Sequence, residues 1–490
     1  MNKYIGIDLG TSSVKMLLVS ADGEILNSVT REYPIFYPQS GWSEQNPIDW
    51  YNATIDGIKE LISEVDKNTV KGISFGGQMH GLVILDENDN VIRPAILWND
   101  GRTQKETDYL NDVIGKNKLS EYTANIAFAG FTAPKILWVK NNEPENFNKI
   151  CKLMLPKDYL AYRLSGVFAT DFSDASGMLL LDVKKRTWNK EMCKICSVDE
   201  NMLPKLYESY ERIGTLLPQI ASELGLSQNV SVSIGAGDNA AAAVGTGTVE
   251  NGACNISLGT SGTVFVAKDS FSVDSKNALH SFCHSNGAYH LMGCILSAAS
   301  CNKWFVEDIL GTSDFANEEK DLEKLLGQNS TYFLPYLMGE RSPHNDVRAR
   351  GAFIGMRPDT TREHMVLSVL EGVAFALRDC VEIAKSSGTV IDKTKVCGGG
   401  AKSKIWRKIL ANVLGIPVSR PQIEEGPSYG AAILAMVGCG EYSTVEEATK
   451  KLIHLKDTEM PDENLVKEYD KKYQVFTKLY PSLKDIYKEI

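Results

Sequence analysis

The chain contains the same short turn twice, about half its length apart, and each copy stands between two apolar segments. The first copy is Gly10-Thr11-Ser12 and the second is Gly259-Thr260-Ser261. An apolar run, a tight polar turn and a second apolar run predict a strand–turn–strand unit at each place. Hydroxyl groups and free backbone N–H groups in such turns form concavities that bind anions. The repetition therefore predicts a duplicated fold that holds a phosphate chain between its two halves.

A second feature is a carboxylate placed between glycines and a run of four alanines. Residues 235–245 contain Gly237-Asp238-Asn239 directly before these alanines. Because Asp and Asn favour helix N-termini, we expect a closely packed helix to begin near Asp238. Glycine beside the acid leaves room for a ligand to approach the backbone. The pattern predicts a base that faces an open site, and an ordinary capped helix is the alternative interpretation.

A third glycine cluster lies in the second half of the chain. Gly398-Gly399-Gly400 follows a predicted strand, and Ser403 stands where a helix is expected to open. Consecutive glycines let a flat ring or a ribose lie against the backbone, and a helix N-terminus favours phosphate. We therefore predict nucleotide contact here, with a loose strand-to-helix turn as the alternative. The chain has no Walker A motif, so it is not a P-loop protein.

Composition limits the function further. The chain has 490 residues and a formal net charge of −10, with basic residues scattered along it. This length favours two or three domains, and the charge argues against a nucleic-acid partner. No apolar run is long enough to span a bilayer, and the first residues do not resemble a signal peptide. We expect a cytoplasmic protein that makes no membrane contact.

The cysteines and histidines do not form a pattern typical of metal ligands. Ten cysteines stand in apolar surroundings, as expected of a reducing compartment. Cys193 and Cys196 form a Cys-x-x-Cys pair without a second pair at zinc-site spacing, which disfavours metal or redox chemistry. His280, Cys283 and His284 are close in sequence, but His280 and His284 would share one face of a strand while Cys283 points away. We expect structural roles for all five residues.

The hydrophobic periodicity predicts alternating strands and helices, an α/β pattern, in both halves of the chain. We expect the domain boundary between Gly245 and Asn251, which gives domains 1–247 and 248–490. Residues 187–211 are predicted to be irregular, and the charged segment 461–490 to be a surface helix. Strands are predicted at 4–9, 14–19, 25–33, 70–75, 82–86, 91–97, 253–259, 262–267 and 288–292, and helices at 48–65, 103–114, 132–142, 157–164, 297–309, 360–386 and 401–414.

Taken together, these motifs resemble the FGGY family of carbohydrate kinases, and within it the bacterial-type xylulokinases. Residues 130–139 resemble the first family signature, and residues 351–356 with 364–371 resemble the second. Further similar segments are 78–81, 98–102, 155–160, 333–336 and Asp238-Asn239. The resemblance covers essentially the whole chain, with the last thirty or so residues least diagnostic.

The resemblance implies an α/β fold with two ribonuclease-H-like domains, as in actin and hexokinase, around a deep interdomain cleft. It also implies ATP-dependent phosphorylation of a sugar with Mg²⁺ as cofactor, converting D-xylulose to D-xylulose 5-phosphate in the xylulokinases. Sugar and ATP are then the small-molecule partners, and a homodimer is left open.

The resemblance also assigns roles to individual residues. Asp238 would accept the proton of the sugar hydroxyl, and its place at a helix N-terminus should keep it ionised near neutral pH. Asp8 would serve the magnesium–phosphate end through water, with a turn-capping aspartate as the alternative. The sugar would contact Met79, His80, Asn239 and Trp98, and the nucleotide would contact Gly10, Thr11, Gly259, Thr260, Gly399, Gly400 and Ser403.

Other functions remain open at this point. A kinase for another ketose or polyol, such as ribulose or a deoxy sugar, would carry nearly the same residues. An actin- or chaperone-like ATPase would share the phosphate turns but would not need Met79, His80 or the Asp238-Asn239 pair. A sugar sensor without catalysis is disfavoured by the presence of Asp8 and Asp238. Phe75 stands where a smaller residue is expected, and it is a candidate for reshaping the sugar pocket.

Overall fold

The computed structural model describes residues 1–490 and contains two lobes, each built around a seven-stranded mixed sheet. In the first sheet, Ala236–Gly237 pairs in parallel with the end of the strand that carries Gly76 and Gly77. In spatial order, its other strands are Arg212–Thr215, Ser231–Ser233, Val70–Gly77, Lys3–Leu9, Ser13–Ser20 and Ile25–Glu32.

The second sheet has a closely related arrangement. In spatial order, its strands are His280–Cys283, Tyr289–Ile295, Gly262–Lys268, Cys254–Leu258, Thr394–Cys397, Val418–Pro421 and Leu455–Glu459. In both sheets, three adjacent antiparallel strands are followed along the chain by two strands parallel to the first of them. In the second sheet, His280–Cys283 intervenes in sequence between the second and third of these strands and pairs at the outer edge of the sheet. The two Gly-Thr-Ser turns join the first and second strands of each sheet, which confirms the predicted duplication.

Helices cover both sheets. Those encoded in the first half are Pro47–Leu61, Gln104–Asp108, Lys116–Thr123, Thr132–Asn142, Pro144–Phe147, Pro156–Ser165, Phe172–Ala175, Lys190–Cys196, Pro218–Leu224 and Asp238–Gly245. Those encoded in the second half are Ala299–Lys303, Phe315–Glu319, Arg362–Ser386, Lys404–Leu414, Gly426–Gly438, Val445–Leu452 and Glu463–Leu483. None of these helices has the length and apolar character needed to cross a bilayer.

Five two-stranded ribbons complete the structure. They pair Glu44–Gln45 with Ala95–Ile96, Val83–Leu85 with Lys152–Met154, Ala169–Asp171 with Lys205–Tyr207, Leu181–Asp182 with Thr187–Trp188, and Tyr332–Leu334 with Ala352–Ile354. The segment 187–211, predicted to be irregular, therefore contains a helix and two short strands. That prediction was wrong because the elements are too short for their periodicity to be read.

One helix of the second half crosses to the first lobe. Gly426–Gly438 packs against the Asp238–Gly245 helix so closely that a Cβ on Gly430 would lie 1.8 Å from the Ala241 carbonyl oxygen. A Cβ on Gly6 would likewise lie 1.9 Å from the Ser428 carbonyl oxygen. The alanine run thus forms the closely packed helix that was predicted. The partner helix was missed because its residues are buried on nearly every side, which leaves no amphipathic pattern.

Candidate active site

Two carboxylates stand on opposite sides of one central strand. Asp8 is the register partner of Gly76, at the carboxyl end of Val70–Gly77. Gly237 is the partner of Gly77 on the other side of that strand, and the chain then enters its helix at Asp238. Ligands of open α/β sheets bind at the carboxyl ends of the parallel strands. The fold therefore brings together the two acids that the sequence singled out.

The carboxylate of Asp238 has one oxygen held by the protein and one left free. Oδ1 accepts the backbone N–H of Asn239 at 2.6 Å and its side-chain amide at 2.8 Å. The same amide nitrogen lies 3.9 Å from Met79 Sδ, so it also faces the predicted sugar end. No protein group donates to Oδ2. This oxygen can accept a hydrogen bond, and then a proton, from a substrate hydroxyl.

Asp238 is a stronger base than its helix position suggested. Burial raises the pKa of Asp238 to about 6, although the two hydrogen bonds from Asn239 oppose this shift. The group remains mainly ionised above that pH, as expected from the sequence. The expectation based on the helix dipole missed the larger effect, which is loss of water around the carboxylate. A pKa nearer to neutrality suits a general base.

Asp8 lies in a mixed electrostatic environment beside the first Gly-Thr-Ser turn. Burial raises the pKa of Asp8 to about 7, and the negative charge of Asp238 acts in the same direction. Lys15, its register partner on the next strand, opposes the shift, but this lysine also pairs with Glu425. The Asp8 carboxylate makes no protein hydrogen bond that would mark it as a turn cap. It is available to a cation or to water.

The predicted sugar residue His80 has a defined orientation. Its ring stacks on Phe131 with the ring centroids 4.5 Å apart. Nδ1 lies 2.9 Å from the Gly177 carbonyl oxygen, so Nδ1 carries the proton and donates to it. Burial lowers the pKa of His80 to about 3, which keeps the imidazole neutral at physiological pH. Nε2 then has a lone pair for a substrate hydroxyl.

The wall around His80 includes second-lobe residues that the sequence analysis did not assign to the sugar. His280 packs against Phe131 with centroids 5.5 Å apart, and its Nε2 is buried without a hydrogen-bond partner. Phe282 stacks on His280 at 5.4 Å. The Arg341 guanidinium approaches the same group of rings and makes no ion pair with the protein. Only the contact between the lobes reveals this wall, because its first-lobe and second-lobe members are 149 or more residues apart in the sequence.

Trp98 contacts the first Gly-Thr-Ser turn. Its indole N–H donates to the Thr11 hydroxyl at 2.9 Å, and 44% of the side chain is exposed. Trp98 therefore does not fill the core. Gly10 is fixed by its N–H, which donates to the Ser13 carbonyl at 3.0 Å, and by Tyr33, whose hydroxyl donates to the Gly10 carbonyl.

The second-lobe loops predicted to hold the nucleotide are neighbours in the sheet. Ser257 and Cys397 are register partners, so the turn at Gly259 and Thr260 lies beside the glycine cluster that follows Cys397. Thr260 is exposed. A Cβ on Gly399 would meet nothing within 4 Å, so this glycine faces open space.

The other two predicted nucleotide residues have structural partners. A Cβ on Gly400 would lie 2.9 Å from both Leu258 and the Trp406 ring, so this glycine serves packing. The Ser403 hydroxyl caps its helix by accepting the Trp406 N–H at 3.1 Å, and it donates to Glu319 at 2.7 Å. Their assignment to the nucleotide stays a prediction.

A buried ionic cluster, which the sequence analysis did not predict, packs against the end of the strand Val70–Gly77. Lys157 Nζ lies 2.7 Å from Asp158, 2.9 Å from Asp171 and 3.6 Å from Asp174, and all four side chains are inaccessible to water. Although burial alone would lower it, the three carboxylates hold the pKa of Lys157 above its usual value. In the sequence, residues 155–160 are distinguished only by their resemblance to the family. No local spacing connects the lysine with acids 14 and 17 positions away.

Four other residues discussed in the sequence analysis are buried or bonded within the protein: Phe75, His284, Cys193 and Cys196. Phe75 is fully buried in the hydrophobic core of the first lobe, so its side chain does not line the sugar site. His284 Nε2 contacts the Thr248 carbonyl at 2.9 Å. Cys193 and Cys196 lie on one helix and are buried. No group of three or more His, Cys, Asp and Glu side chains is arranged to hold a metal ion.

Comparisons with known proteins identify the family to which the chain belongs. Residues 3–245 match the model of the N-terminal domain of the FGGY family of carbohydrate kinases, and residues 254–439 match that of the C-terminal domain. The chain is 39% identical to the xylulose kinase of Escherichia coli over 98% of this chain and 99% of that protein. It is 36% identical to the xylulose kinase of Bacillus subtilis over 99% of this chain and 98% of that protein. A crystal structure of a xyloylose kinase from Brucella ovis superposes with a TM-score of 0.94 at 38% identity, covering 99% of this chain and 100% of that one.

Proposed function

The chain belongs to the FGGY family of carbohydrate kinases, and we propose that it transfers the terminal phosphoryl group of ATP to D-xylulose, forming D-xylulose 5-phosphate. The observation that carries this proposal is the free Oδ2 of Asp238, which lies across one strand from Asp8, next to Asn239, whose amide contacts Met79 directly before the neutral His80. The similarity to xylulose kinases over nearly the whole chain supports the choice of sugar.

In this proposal Asp238 acts as the general base. Its Oδ2 accepts a hydrogen bond from the C5 hydroxyl of the sugar and takes the proton as that oxygen bonds to phosphorus. Phosphoryl transfer passes through a loose transition state, so the protein contributes mainly by positioning the reactants and balancing charge. Asn239 keeps Oδ1 occupied, which directs Oδ2 toward the substrate.

Sugar recognition is assigned to the groups around His80. The Nε2 lone pair of His80 accepts one sugar hydroxyl, while the side-chain amide of Asn239 and the Met79 backbone supply further polar contacts. Trp98 covers the sugar from the side of the first phosphate turn. Because His80 is neutral and its Nδ1 is engaged, it reads a hydroxyl and does not act on phosphate.

The residues present also fit a magnesium ion that accompanies ATP. Mg²⁺ usually keeps several waters and uses one or two carboxylates together with substrate phosphates. Asp8 meets that need, since its carboxylate lacks protein partners, and we assign it to the metal through water. When bound, the ion neutralises phosphate charge. The turns at Thr11 and Thr260 hold phosphates, and Gly399 leaves room for the adenosine side.

A coupled assay of ADP formation over a panel of pentuloses, hexuloses and polyols tests the proposed substrate. We expect D-xylulose to give the highest kcat/KM and ATP turnover without sugar to be slow. A higher kcat/KM for ribulose, another ketose or a polyol would overturn the assignment of D-xylulose. Equal ATP turnover with and without every sugar would instead indicate an actin-like ATPase.

A further inference from the structure

A buried chain of polar contacts connects a lysine with the backbone that precedes Asp238. Lys157 Nζ lies 2.9 Å from Asp171 Oδ1. The Ser173 hydroxyl donates to Asp171 Oδ2 at 2.5 Å, and the same hydroxyl oxygen accepts the Gly237 N–H at 3.2 Å. The side chains of this chain are at most 1% exposed. The Ser173 hydroxyl therefore links the buried Lys157–Asp171 ion pair to the backbone N–H of Gly237, the residue before the base.

Asp171 is the centre of this arrangement. In addition to Ser173 Oγ and Lys157, its carboxylate accepts the Ser173 backbone N–H at 2.8 Å and the Ser209 hydroxyl at 2.7 Å. A buried carboxylate with this many donors has little freedom to move. Buried ion pairs contribute little net stability, but they can select one geometry among several.

A second contact supports the same part of the backbone through the neighbouring strand. Gly77 pairs with Gly237 in the parallel ladder, and a Cβ on Gly77 would lie 2.6 Å from Lys157 Cβ. The Lys157 stem therefore packs against Gly77, on the strand that pairs with the Gly237 segment. The Gly237 backbone is held directly by the Ser173 hydrogen bond and, through its strand partner Gly77, by the packing of Lys157.

Asp174 is the acid of this cluster that lacks hydrogen-bond partners. Neither oxygen of Asp174 has a hydrogen-bond partner, and Lys157 is 3.6 Å away. Burial raises the pKa of Asp174 well above its usual value, and the charge of Asp238 adds to the shift.

We propose that Ser173 and Asp171 are positioning residues that aim the Asp238 carboxylate through the Gly237 peptide. They touch neither sugar nor nucleotide, and they act through the base alone. This inference rests on the proposed function, because it assumes that Asp238 accepts the proton. Errors of about 1 Å in the placement of reacting groups can reduce turnover about 100-fold.

Ser173→Ala removes the hydroxyl and leaves Asp171 with its other donors. We expect kcat to fall by about 10-fold or more, while KM for D-xylulose and for ATP changes by less than about 3-fold. Ser173→Thr keeps the hydroxyl and should restore most of kcat. Hydrogen exchange, followed by mass spectrometry on peptides that cover residues 235–239, should show faster exchange at Gly237 in Ser173→Ala. The exchange measurement needs no substrate.

Ser165→Ala is the matched control. The Ser165 hydroxyl is also buried, donates to the Ala161 carbonyl at 2.7 Å and accepts the Val167 N–H at 3.2 Å, but it has no contact with the Gly237 segment. Ser165→Ala should lose similar thermal stability and keep kcat. If Ser173→Ala does not fold, Ser173→Cys, which keeps the shape with a weaker hydrogen-bonding group, replaces it.

The outcomes separate this inference from the proposed function. Equal kcat in the Ser173 and Ser165 variants, or unchanged exchange at Gly237, would overturn the positioning role. Loss of kcat in Ser173→Ala with rescue by Ser173→Thr supports it. If the unmodified protein does not phosphorylate D-xylulose, the proposed function fails, and the exchange measurement still decides whether Ser173 holds this backbone.

Discussion

Asp8 and Asp238 flank the same strand, so a single strand, Val70–Gly77, separates the acid assigned to the phosphates from the acid assigned to the sugar hydroxyl. Adjacent strands lie about 4.8 Å apart, which places the two backbone segments about 10 Å from each other. That spacing leaves room between the carboxylates for a hydroxyl and a transferring phosphoryl group. It also couples the two acids electrostatically, because the charge of Asp238 adds to burial in raising the pKa of Asp8.

The raised pKa of Asp238 predicts how activity depends on pH. With a pKa of about 6, kcat/KM for D-xylulose should fall about tenfold per pH unit once the pH is well below that value. Above it, activity should reach a plateau until other groups titrate. Because Asp8 and Asp238 interact, the acidic limb reports apparent values of the pair. A profile that stays flat down to pH 4.5 would contradict the role of a buried carboxylate base.

Asp8→Asn should greatly lower turnover while ketose binding weakens much less. The reason is that Asp8, which lies on the far side of Val70–Gly77 from Asp238, is assigned to the metal and phosphate end and not to the sugar. Calorimetry of D-xylulose binding without nucleotide measures the sugar affinity of the variant. Asp22→Asn, at an exposed hairpin turn, is a suitable control. Loss of ketose affinity in a folded Asp8→Asn protein would reverse this map of the cleft.

His80→Ala should reduce sugar affinity or specificity by 5- to 150-fold, corresponding to roughly 1–3 kcal/mol for polar groups left without partners. KM for ATP should hardly change. His80 has a φ of 69°, which Asn tolerates better than Ala does. His80→Asn therefore serves as the second variant. The same sugar defect in both variants points to the ring, whereas a defect only in His80→Ala points to backbone strain.

Gly399→Ala and Gly400→Ala form a pair that tests the nucleotide loop. A methyl group at Gly399 enters open space, so the protein should fold normally while KM for ATP rises and KM for D-xylulose stays constant. At Gly400 the methyl group would press on Leu258 and the Trp406 ring. That variant should lower the thermal unfolding midpoint instead. An unchanged KM for ATP in Gly399→Ala would remove this glycine from the nucleotide site.

Much of the fold could be predicted because its signals are local. The two Gly-Thr-Ser turns, the helix at Asp238 and the long helix Arg362–Ser386 each have a pattern that can be read within one segment. The helix Gly426–Gly438 could not be predicted, since a helix buried on all sides lacks an amphipathic pattern. The site shows the same division. Asp8 and Asp238 follow recognisable turns, whereas Lys157 and Asp171 meet only after folding.

The direction of the pKa shift of Asp238 could not be predicted from the sequence either. The position of Asp238 at a helix N-terminus suggests that its negative charge is stabilised. In the structure, however, burial raises the pKa of Asp238 by more than the hydrogen bonds from Asn239 lower it. Because its pKa is raised in the folded state, the folded protein binds more protons between pH 4 and 6, and Asp238 lowers stability as the pH rises through that window. Asp238→Asn should therefore be at least as stable as the unmodified protein at pH 8.

The most direct test of the account is the rate of D-xylulose-dependent ADP formation by the unmodified protein and by Asp238→Asn at pH 7.5, with thermal unfolding confirming that both are folded. Asp238→Asn keeps the shape of the side chain and removes the proton acceptor. We predict a loss of 10²- to 10⁴-fold in kcat, the usual contribution of a positioned base, with D-xylulose still bound. Turnover of Asp238→Asn within a few-fold of the unmodified protein would contradict the central claim.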